Sequence, residues 1–577
     1  MDLRHNNKRK PKRWLIREPD ETLQNLFVNE LKISTLTANL LINRGIDTID
    51  NASTFLSPNL KNLHNPFLLK GMDKAVARII DAIQKNEAIT IYGDYDVDGT
   101  AGASVLYLFL KETGARVSYY IPERLKEGYG LNKQAIQRLS EDGVKLVVTT
   151  DCGISNYDEV GFATGLGLDV IITDHHEITS KVPPAYAVLN PKQETCAFPF
   201  KELAGVGVAF NLIIALRTKL RDRGGFSNGE PNLKNYLDIV ALGTIADMVP
   251  LVDENRIFAV YGIESMTKGE RCGIRALKDV SRISGNIKSW HIGFQLAPRI
   301  NAAGRLERAD TAVKLITTND PDEAVLLARE LDMENRARQD IEGEILKEAI
   351  DMIEREGLKN AIILASEKWH QGVIGVVASK LIDTYYRPTV LISLAGDIGK
   401  GSARGIKAFH MLEGLQTCAK YLERFGGHKA AAGLTIHKGN IPAFKEAFFN
   451  LTAGLKDEDF TPELSLDGYI NLDELSEGVV MEIDSLAPFG LGNPEPLLCA
   501  NEARIIGSQI VGSNHLRFKA AHKNRVFNAI AYRFGDMHPL DDKYMDIAFT
   551  PYIEEWNGNR DLKLNVKGIR GLIGRTF

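Results

Sequence analysis

Short apolar, β-prone runs alternate with helical patterns between residues 70 and 250, and this alternation constrains the fold most strongly. The runs predict strands at Ala88–Tyr92, Val117–Ile121, Lys145–Thr150 and Val170–Thr173, with helices at Thr100–Glu112 and Leu131–Glu141. Continuous apolar strands separated by helices are typical of a parallel sheet that is covered on both faces. Because ligands of such sheets bind beyond the carboxyl ends of the strands, residues that follow these runs are candidates for a functional site.

Acidic residues follow three of these runs. Asp94, Asp96 and Asp98 come after the first run, Asp151 after the third, and Asp174, His175 and His176 after the fourth. Carboxylates at every second position of an extended backbone project to the same side, where their repulsion is unfavourable without a cation. The alternatives are an acidic surface turn for the first cluster, and a helix N-cap or turn residue for Asp151 or Asp174.

A further carboxylate, Asp247, lies in the apolar segment Ala241–Leu251 and therefore needs a buried partner, either a metal ion or an arginine. Magnesium prefers oxygen ligands, and manganese also accepts imidazole. The carboxylates and imidazoles together predict two cations ~3.5–4 Å apart, an arrangement that activates water for an in-line phosphoryl displacement.

Three glycine-rich segments carry embedded cations: Arg299–Arg305, Gly401–Gly405 and Gly426–Gly433. Backbone amides and guanidinium groups together suit phosphate oxygens. The alternative for each segment is a tight turn beside a surface cation.

The rest of the chain predicts further domains, since 577 residues are too many for one core. A helical pattern covers residues 322–357, with a break near 332–334 as an alternative, and a second α/β segment follows with strands at Ala361–Ala365 and Thr389–Ile392. Short alternating runs from residue 460 onward favour a small β-barrel. The predicted fold is α/β: a parallel-sheet domain (51–320), a helical connector (321–358), a smaller α/β domain (359–455) and an OB-type β-barrel (456–577), after a basic N-terminal extension (1–50).

Composition excludes several classes of protein. No apolar run approaches the ~18 residues of a membrane-spanning helix, and no signal peptide is recognisable, so a soluble cytoplasmic protein is expected. The five cysteines contain no C-x-x-C pair, which argues against structural zinc or a disulfide framework. A net charge of −5 provides no global footprint for nucleic acid. The basic N-terminus, which includes Arg9 and Lys10, is either a solvated tail or an arm that binds nucleic acid.

Seven segments in order resemble the RecJ family of bacterial single-stranded-DNA exonucleases, in the DHH phosphoesterase superfamily. They are Tyr92–Gly99, Asp151–Gly153, Asp174–His176, Gly243–Leu251, Arg299–Arg305, Trp369–Gly375 and Gly426–Gly433. Pro488–Pro496 is similar to the family segment that leads through its OB-type domain. Tyr92 stands where related small-molecule phosphodiesterases have a histidine ligand, and this difference favours the exonuclease branch.

The resemblance implies a nuclease that degrades single-stranded DNA from its 5′ end to mononucleotides with Mn²⁺ or Mg²⁺, in DNA repair and recombination. It implies that Asp96, Asp98, Asp151, His175 and Asp247 are direct metal ligands, and that Asp94, Asp174 and His176 ligate or orient them. Asp174 would then fix the tautomer of an imidazole.

The resemblance also implies substrate contacts. Arg124 and Tyr129 would face the 5′ end, Arg299, Asn301 and Arg305 would bind the strand, and Ser402, Arg404, Gly426, Gly427 and His428 would contact phosphates across a cleft. Gly405 replaces an expected hydroxyl. In the barrel, Phe518 and Trp556 are candidates for base stacking, although core positions are the more common role of such residues.

The expected partner is single-stranded DNA, with a helicase and a single-strand-binding protein as candidate protein partners of a monomer. Two other functions fit some of the same residues: a phosphodiesterase for short oligonucleotides or cyclic dinucleotides, and a non-catalytic DNA-binding scaffold. The predicted barrel argues against the first, and the complete set of carboxylates argues against the second.

Overall fold

A computed structural model describes residues 12–124, 126–178, 181–226, 229–306, 310–540, 543–556 and 558–571, apart from the side chains of Arg305, Leu306 and Trp556. The chain divides into two compact units. The catalytic unit, as we name it from the acidic clusters it contains, consists of Ser53–Gln339 and Ala487–Pro494. The second unit comprises the residues up to Ala52, Asp340–Leu486 and the residues from Glu495 onward.

The catalytic unit contains a fully parallel sheet, as predicted; four of its five strands were predicted, and Ala187–Leu189 was not. Its strands, in spatial order, are Val117–Tyr120, Ala88–Gly93, Val144–Thr150, Asp169–Thr173 and Ala187–Leu189. The central strands are almost completely buried, which explains why they read as continuous apolar runs.

Helices cover both faces of this sheet. The helices within the unit are Met72–Gln84, Val97–Glu112, Lys133–Glu141, Tyr157–Gly165, Gly205–Asp222, Leu237–Ala246, Asp253–Lys268, Cys272–Val280, Ser289–His291, Ala297–Leu306 and Asp310–Thr317. One core packs Met72–Gln84 and Val97–Glu112 on one face together with Gly205–Asp222. A smaller core packs Lys133–Glu141 and Tyr157–Gly165 on the other face.

The connector is one continuous helix, Pro321–Glu356, of 36 residues. The alternative break near residues 332–334 does not occur. Asp332 is buried in the helix and its carboxylate pairs with Arg299 and Arg336, so a polar residue that looked like an interruption has local partners.

The second unit contains a mixed five-stranded sheet. The strands, in spatial order, are Arg424–Gly427, Ala431–His437, Ile398–Arg404, Thr389–Ala395 and Ile362–Ser366, and only the last two are parallel to each other. The helices Ile374–Tyr385, Met411–Thr417 and Ile441–Thr452 accompany the sheet. Gly401–Gly405, for which a tight turn was the alternative above, belongs mainly to the strand Ile398–Arg404. A Cβ on Gly401 would lie 2.7 Å from Leu434, so this glycine permits close packing between strands.

The predicted barrel is present and closed. Its strands are Leu498–Val511, His515–His522, Arg525–Ala531, Asn559–Gly571 and Tyr544–Trp556, and the last pairs back with the first. Phe518 is 2% exposed and therefore belongs to the barrel core instead of a stacking surface. The side chain of Trp556 lies outside the described residues.

The predicted N-terminal extension differs from the structure from Arg13 onward. Arg13–Ile16 forms a strand parallel to Glu463–Leu466, and the helices Glu21–Leu31 and Thr35–Asn43 follow. Asn43 donates a hydrogen bond to the Asp467 carbonyl, and Leu40 and Leu41 are fully buried. The prediction missed these elements because it rested on the cluster of basic residues and not on the apolar positions that follow. Residues 1–11 lie outside the described part of the chain. Among the described residues no helix is both long and apolar enough for a membrane span.

Candidate metal centre

The candidate centre lies at the carboxyl edge of the parallel sheet. Asp94, Asp151 and Asp174 each follow a strand directly, and the backbone N–H groups of Asp94 and Asp151 extend the ladder by donating to Thr150 and Thr173. Since the three strands are neighbours in register, their carboxylates meet at one edge. This is the location that the parallel sheet predicted.

The first acidic motif reaches the site by a different geometry from the predicted one. The backbone is not extended throughout, because the Val97–Glu112 helix begins within the motif. Asp96 is its N-cap and accepts a hydrogen bond from the Gly99 N–H at 3.1 Å, and Asp98 lies in the first turn. A Cβ on Gly99 would lie within 2.7 Å of the Asp94 backbone, so glycine is required for this abrupt strand-to-helix turn.

Asp98 is buried against the amino end of a second helix. Its Oδ2 accepts from the Gly205 N–H at 2.6 Å and its Oδ1 from the Val206 N–H at 2.9 Å. Burial raises the pKa of Asp98 to about 7, and the charge of Asp96 contributes in the same direction. The two N–H groups oppose this shift, since a helix amino end stabilises a carboxylate.

Asp174 organises the two histidines that follow it. Its Oδ1 accepts from the backbone N–H groups of His175 and His176 and lies 2.8 Å from His176 Nδ1, and its Oδ2 accepts from the Ile154 N–H. Burial works to raise the pKa of Asp174, but these hydrogen bonds and the imidazole charge outweigh it and the pKa is lowered. With both oxygens occupied, the contacts favour an orienting role for Asp174 over coordination.

Four buried atoms converge without hydrogen-bond partners among the described residues: Asp94 Oδ1, Asp151 Oδ1, His175 Nε2 and Asp247 Oδ2. His175 Nε2 lies 3.1 Å from the Asp151 oxygen and 3.5 Å from the Asp247 oxygen. Unpaired buried polar atoms carry a large desolvation cost, and a cation bound among them would remove it.

The electrostatics of these residues suit a cation. Burial, with the charges of neighbouring carboxylates, holds the pKa of Asp94, Asp151 and Asp247 well above the usual range. Burial lowers the pKa of His175 to about 4, which keeps its ring neutral and available as a ligand. The site therefore combines acidic oxygens with a neutral imidazole, a donor set that fits Mn²⁺ and, through its oxygens, Mg²⁺.

Potential ligand atoms form three overlapping groups, each with all atoms within 4.8 Å of one another. The groups are Asp98 with His175 and Asp247, Asp94 with Asp96 and Asp151, and Asp151 with His175 and His176. Asp151 and His175 each belong to two groups, so the positions adjoin. Adjoining positions of this kind are the arrangement of a two-metal site.

An open cavity beside the acidic groups is lined by Arg124 and Tyr129, the two residues predicted to face the 5′ end of the substrate. Its lining residues are Asp94, Tyr95, Asp96, Arg124, Tyr129, His176 and Asn301. The Arg124 guanidinium lies 5.0 Å from the Tyr95 ring centroid, and the Tyr129 hydroxyl lies 3.3 Å from His176 Nδ1. Sequence reasoning did not single out Tyr95, although its position between two candidate ligands was the available signal.

The Arg299–Arg305 segment is only partly directed at this cavity. Asn301 accepts a hydrogen bond from the Val97 N–H at 3.2 Å. Arg299 instead pairs with Asp332 at 3.0 Å and donates to the Gln295 carbonyl. The backbone of Arg305 lies in the Ala297–Leu306 helix, and its side chain falls outside the described residues.

The remaining predicted phosphate contacts lie together on the sheet of the second unit. Ser402 and Gly426 both pair with Gly433, and the Arg404 guanidinium contacts the hydroxyls of Ser402 at 3.1 Å and Ser379 at 3.2 Å. Gly427 has a φ of 143°, and the His428 N–H donates to the Ala431 carbonyl. Ser379 was missed because it lies on a helix far from any glycine-rich motif.

Gly405 has no room for the hydroxyl that the resemblance led us to expect. A Cβ there would lie 2.9 Å from the Lys429 carbonyl oxygen and 3.0 Å from that of Phe409.

The fold and the site together define a protein of the DHH class. The model of the DHH family N-terminal domain matches residues 88–244, that of the DHHA1 domain matches 357–453, and that of the RecJ OB domain matches 466–568. The chain is 39% identical to the single-stranded-DNA-specific exonuclease RecJ of Bacillus subtilis over 96% of this chain and 70% of the relative. It is 35% identical to the Escherichia coli RecJ over 87% and 90% of the two chains.

A crystal structure of Thermus thermophilus RecJ in complex with Mn²⁺ superposes with a TM-score of 0.84 at 30% identity, and covers 97% of this chain and 80% of that one. A second structure of the same protein, with Mg²⁺, superposes with a TM-score of 0.77. This chain belongs to the RecJ family of single-stranded-DNA-specific exonucleases.

Proposed function

We propose that this chain is a divalent-metal-dependent exonuclease that hydrolyses single-stranded DNA from the 5′ end to mononucleotides, in DNA repair and recombination. One observation carries the proposal: unpaired, buried oxygens of Asp151 and Asp247 lie 3.1 and 3.5 Å from His175 Nε2, and Asp94 shares a ligand group with Asp151. This arrangement is costly without a bound cation, so it favours a metal-dependent function over a non-catalytic scaffold.

The residues present would hold two ions of Mn²⁺ or Mg²⁺. Asp98, His175 and Asp247 form one position, and Asp94, Asp96 and Asp151 form the other. Divalent ions, when bound, polarise a phosphoryl oxygen and lower the pKa of water. Asp174 accepts from the backbone N–H groups of both histidines and contacts the His176 ring at Nδ1, and the Gly205–Asp222 helix holds Asp98.

The open cavity supports the proposed 5′ polarity. Arg124 supplies a guanidinium that can donate two parallel hydrogen bonds to a terminal phosphate, and Tyr129 and Asn301 supply polar groups beside the candidate ligands. We assign strand binding to Arg299 and Arg305 as well, with Arg299 acting through its pair with Asp332. A terminal phosphate held here would place the adjacent phosphodiester near the acidic groups.

Phosphate contacts by the second sheet are also part of the proposal. Ser402, Arg404, Gly426, Gly427 and His428 are the assigned residues. These residues occupy adjacent strand positions, two hydroxyls hold the guanidinium, and the backbone lies close to the surface. This arrangement favours binding of a phosphate oxygen.

We also propose the domain boundaries predicted above, 51–320, 321–358, 359–455 and 456–577.

The two alternative functions are less well supported. A phosphodiesterase for short nucleotides has no need of the barrel matched by the RecJ OB domain. A non-catalytic scaffold has no need of the complete ligand groups.

A digestion assay tests the proposal. Single strands of DNA and RNA with a label at either end are incubated with Mn²⁺, Mg²⁺ or chelator. The expected result is release of the 5′ label from DNA first, and only with metal. Release of the 3′ label first or full activity in chelator would contradict it. Asp98→Ala should abolish cleavage while strand binding persists.

The cellular setting follows from the same proposal. A nuclease restricted to unpaired strands needs a source of them, so we propose a monomer that acts in the cytoplasm with a helicase and a single-strand-binding protein. Light scattering of the purified protein and affinity capture with each candidate partner test these statements. A stable oligomer, or absence of binding to both partners, would contradict them.

A further inference from the structure

Two aromatic side chains of the catalytic unit are exposed although their helix is firmly held. The exposed fractions of Phe294 and Trp290 are 80% and 48%. Residues four apart on a helix lie on one face, so the two rings belong to one surface. Their neighbours Ile292 and Leu296 are fully buried, and Ser289 donates a hydrogen bond to the Phe489 carbonyl at 2.6 Å.

Phe294 lies in a π-helical turn, Ile292–Leu296, between the Ser289–His291 and Ala297–Leu306 helices. Pro298 has no backbone N–H, so it cannot donate to the Phe294 carbonyl as an α-helical residue would. The wider turn accommodates this loss, and the Ala297 N–H donates to the Ile292 carbonyl. Such turns are often found at functional sites.

The same helical stretch continues to the cavity of the candidate metal centre. Asn301 lines that cavity, and a Cβ on Gly304 would lie 2.5 Å from the Tyr95 carbonyl oxygen. Seven residues separate Phe294 from Asn301, a distance of about 10 Å at ~1.5 Å per residue. A stacked strand advances ~3.4 Å per nucleotide, so Phe294 is roughly three nucleotides from the cavity. Trp290 is one helical turn farther away.

Positive charge accompanies the aromatic pair. The Trp290 ring lies 3.8 Å from the His291 ring, centroid to centroid. Burial lowers the pKa of His291, and the nearby charges of Lys288 and Lys278 lower it further. Lys288 is exposed. Exposed aromatic rings beside cations are the combination that binds single strands, with bases on the rings and phosphates at the cations.

We propose that Phe294 and Trp290 form a stacking platform for bases of the incoming strand, with Phe294 under about the third nucleotide from the 5′ end. The inference rests on the proposed function and adds to it a means of holding the strand behind the reacting phosphate. Binding by stacking would not depend on base sequence, because every base presents a π-face to a ring. The RecJ OB domain is a separate element and is not required for this contact.

Kinetics on two substrates test the platform. One substrate is an oligothymidylate, and the other is the p-nitrophenyl ester of thymidine 5′-phosphate, which has a single base. Phe294→Ala should raise KM for the oligonucleotide about 5- to 100-fold and leave hydrolysis of the small ester unchanged. Phe294→Tyr should retain low KM. Tyr186→Ala is the matched control, since Tyr186 is 46% exposed in the same unit.

A base-deletion scan locates the contact. One abasic site is introduced in turn at nucleotides two to five of the oligonucleotide. The abasic site that removes the base stacked on Phe294 should raise KM for the unaltered protein but not raise it further for Phe294→Ala. For Trp290→Ala, the abasic site without further effect should lie at a later nucleotide. Additive losses at every position, or an unchanged KM for Phe294→Ala, would overturn the platform and leave a protein-binding role for the apolar rings.

Fluorescence of 2-aminopurine separates this inference from the proposed function. The probe replaces the third base, and binding is followed in Ca²⁺ without cleavage. If quenching depends on Phe294 but no cleavage occurs in Mn²⁺, the proposed exonuclease activity is wrong and the stacking platform stands. Cleavage with quenching unchanged in Phe294→Ala would overturn the platform alone.

Discussion

Gly205 donates its backbone N–H to Asp98 Oδ2 at 2.6 Å, so the amino end of the Gly205–Asp222 helix meets a buried carboxylate of the candidate metal centre. No side chain fits at this position. A Cβ on Gly205 would lie 2.8 Å from both the Asp98 oxygen and the Asp151 Cβ. A residue outside the acidic motifs thus determines where two of the proposed ligands lie.

Gly205→Ala should weaken metal binding and activity by about tenfold or more, because the added methyl group displaces two carboxylates together. Calorimetric titration with Mn²⁺ measures the affinity. Gly207→Ala is the matched control on the same helix, since its Cβ would meet Leu203 at 3.3 Å and no ligand. Equal losses in both variants would show that helix packing, and not the ligand positions, is responsible.

Asp174→Asn should lower metal affinity roughly 10- to 100-fold, because an amide cannot accept all four hydrogen bonds of the carboxylate. Added Mn²⁺ should restore part of the activity. The comparison is Asp151→Asn, which removes a proposed ligand and should stay inactive at any Mn²⁺ concentration. Loss of Asp174→Asn activity that excess metal cannot restore would assign coordination to Asp174.

Metal removal should lower the melting temperature. A bound ion at about 100 times its Kd stabilises the folded state by ~2.7 kcal/mol, and chelator removes this contribution. Asp151→Asn should be at least as stable as the unaltered protein in chelator, because it relieves repulsion among buried carboxylates. Differential scanning calorimetry with and without EDTA measures both effects. A variant less stable in EDTA would mean that Asp151 mainly supports the fold.

Glu254 should make stability depend on pH. Its carboxylate is buried and accepts hydrogen bonds from Asn211 Nδ2 at 2.9 Å and the His64 N–H at 2.7 Å. Burial raises its pKa from 4.5 to about 7. Between these values the folded state binds more protons than the unfolded state, so stability falls as pH rises and then levels off above pH 7.

Glu254→Gln should remove the contribution of Glu254 to this decline, which is on the order of 3 kcal/mol. Urea unfolding at several pH values measures it. Glu264→Gln is the control, because Glu264 is exposed and pairs with Lys268 on the surface. An unchanged decline in Glu254→Gln would show that Glu254 is ionised in the folded protein.

Gly375→Ala should weaken strand binding by the second unit. A Cβ there would lie 3.0 Å from Ser402 Oγ and 3.1 Å from Arg404 Nη2, so the guanidinium must move. We expect a KM for single strands raised several-fold with little change in kcat. Steady-state kinetics measure the two constants, and Gly454→Ala, with open space around its Cβ, is the control. A fall in kcat alone would argue against a binding role.

Much of the fold was predictable because it depends on local patterns. The strands of the parallel sheet are buried on both faces, so they appear as apolar runs, and the connector helix has a long uninterrupted helical pattern. The barrel followed from alternation within short runs. The folding of Arg13–Ile16 and the helices after it was not predicted, because a strand that pairs with residues 450 positions later has no local signal.

The sequence by itself determined that Asp94, Asp151 and Asp174 meet at the candidate metal centre, since carboxylates after neighbouring parallel strands must share one edge of the sheet. Only the tertiary structure decided how they meet. Asp96 caps a helix, Asp174 accepts hydrogen bonds from the N–H groups of both histidines, and the Gly205 N–H holds Asp98. These roles depend on backbone N–H groups supplied by distant parts of the chain, and a donor that every residue but proline possesses leaves no trace in the pattern of side chains.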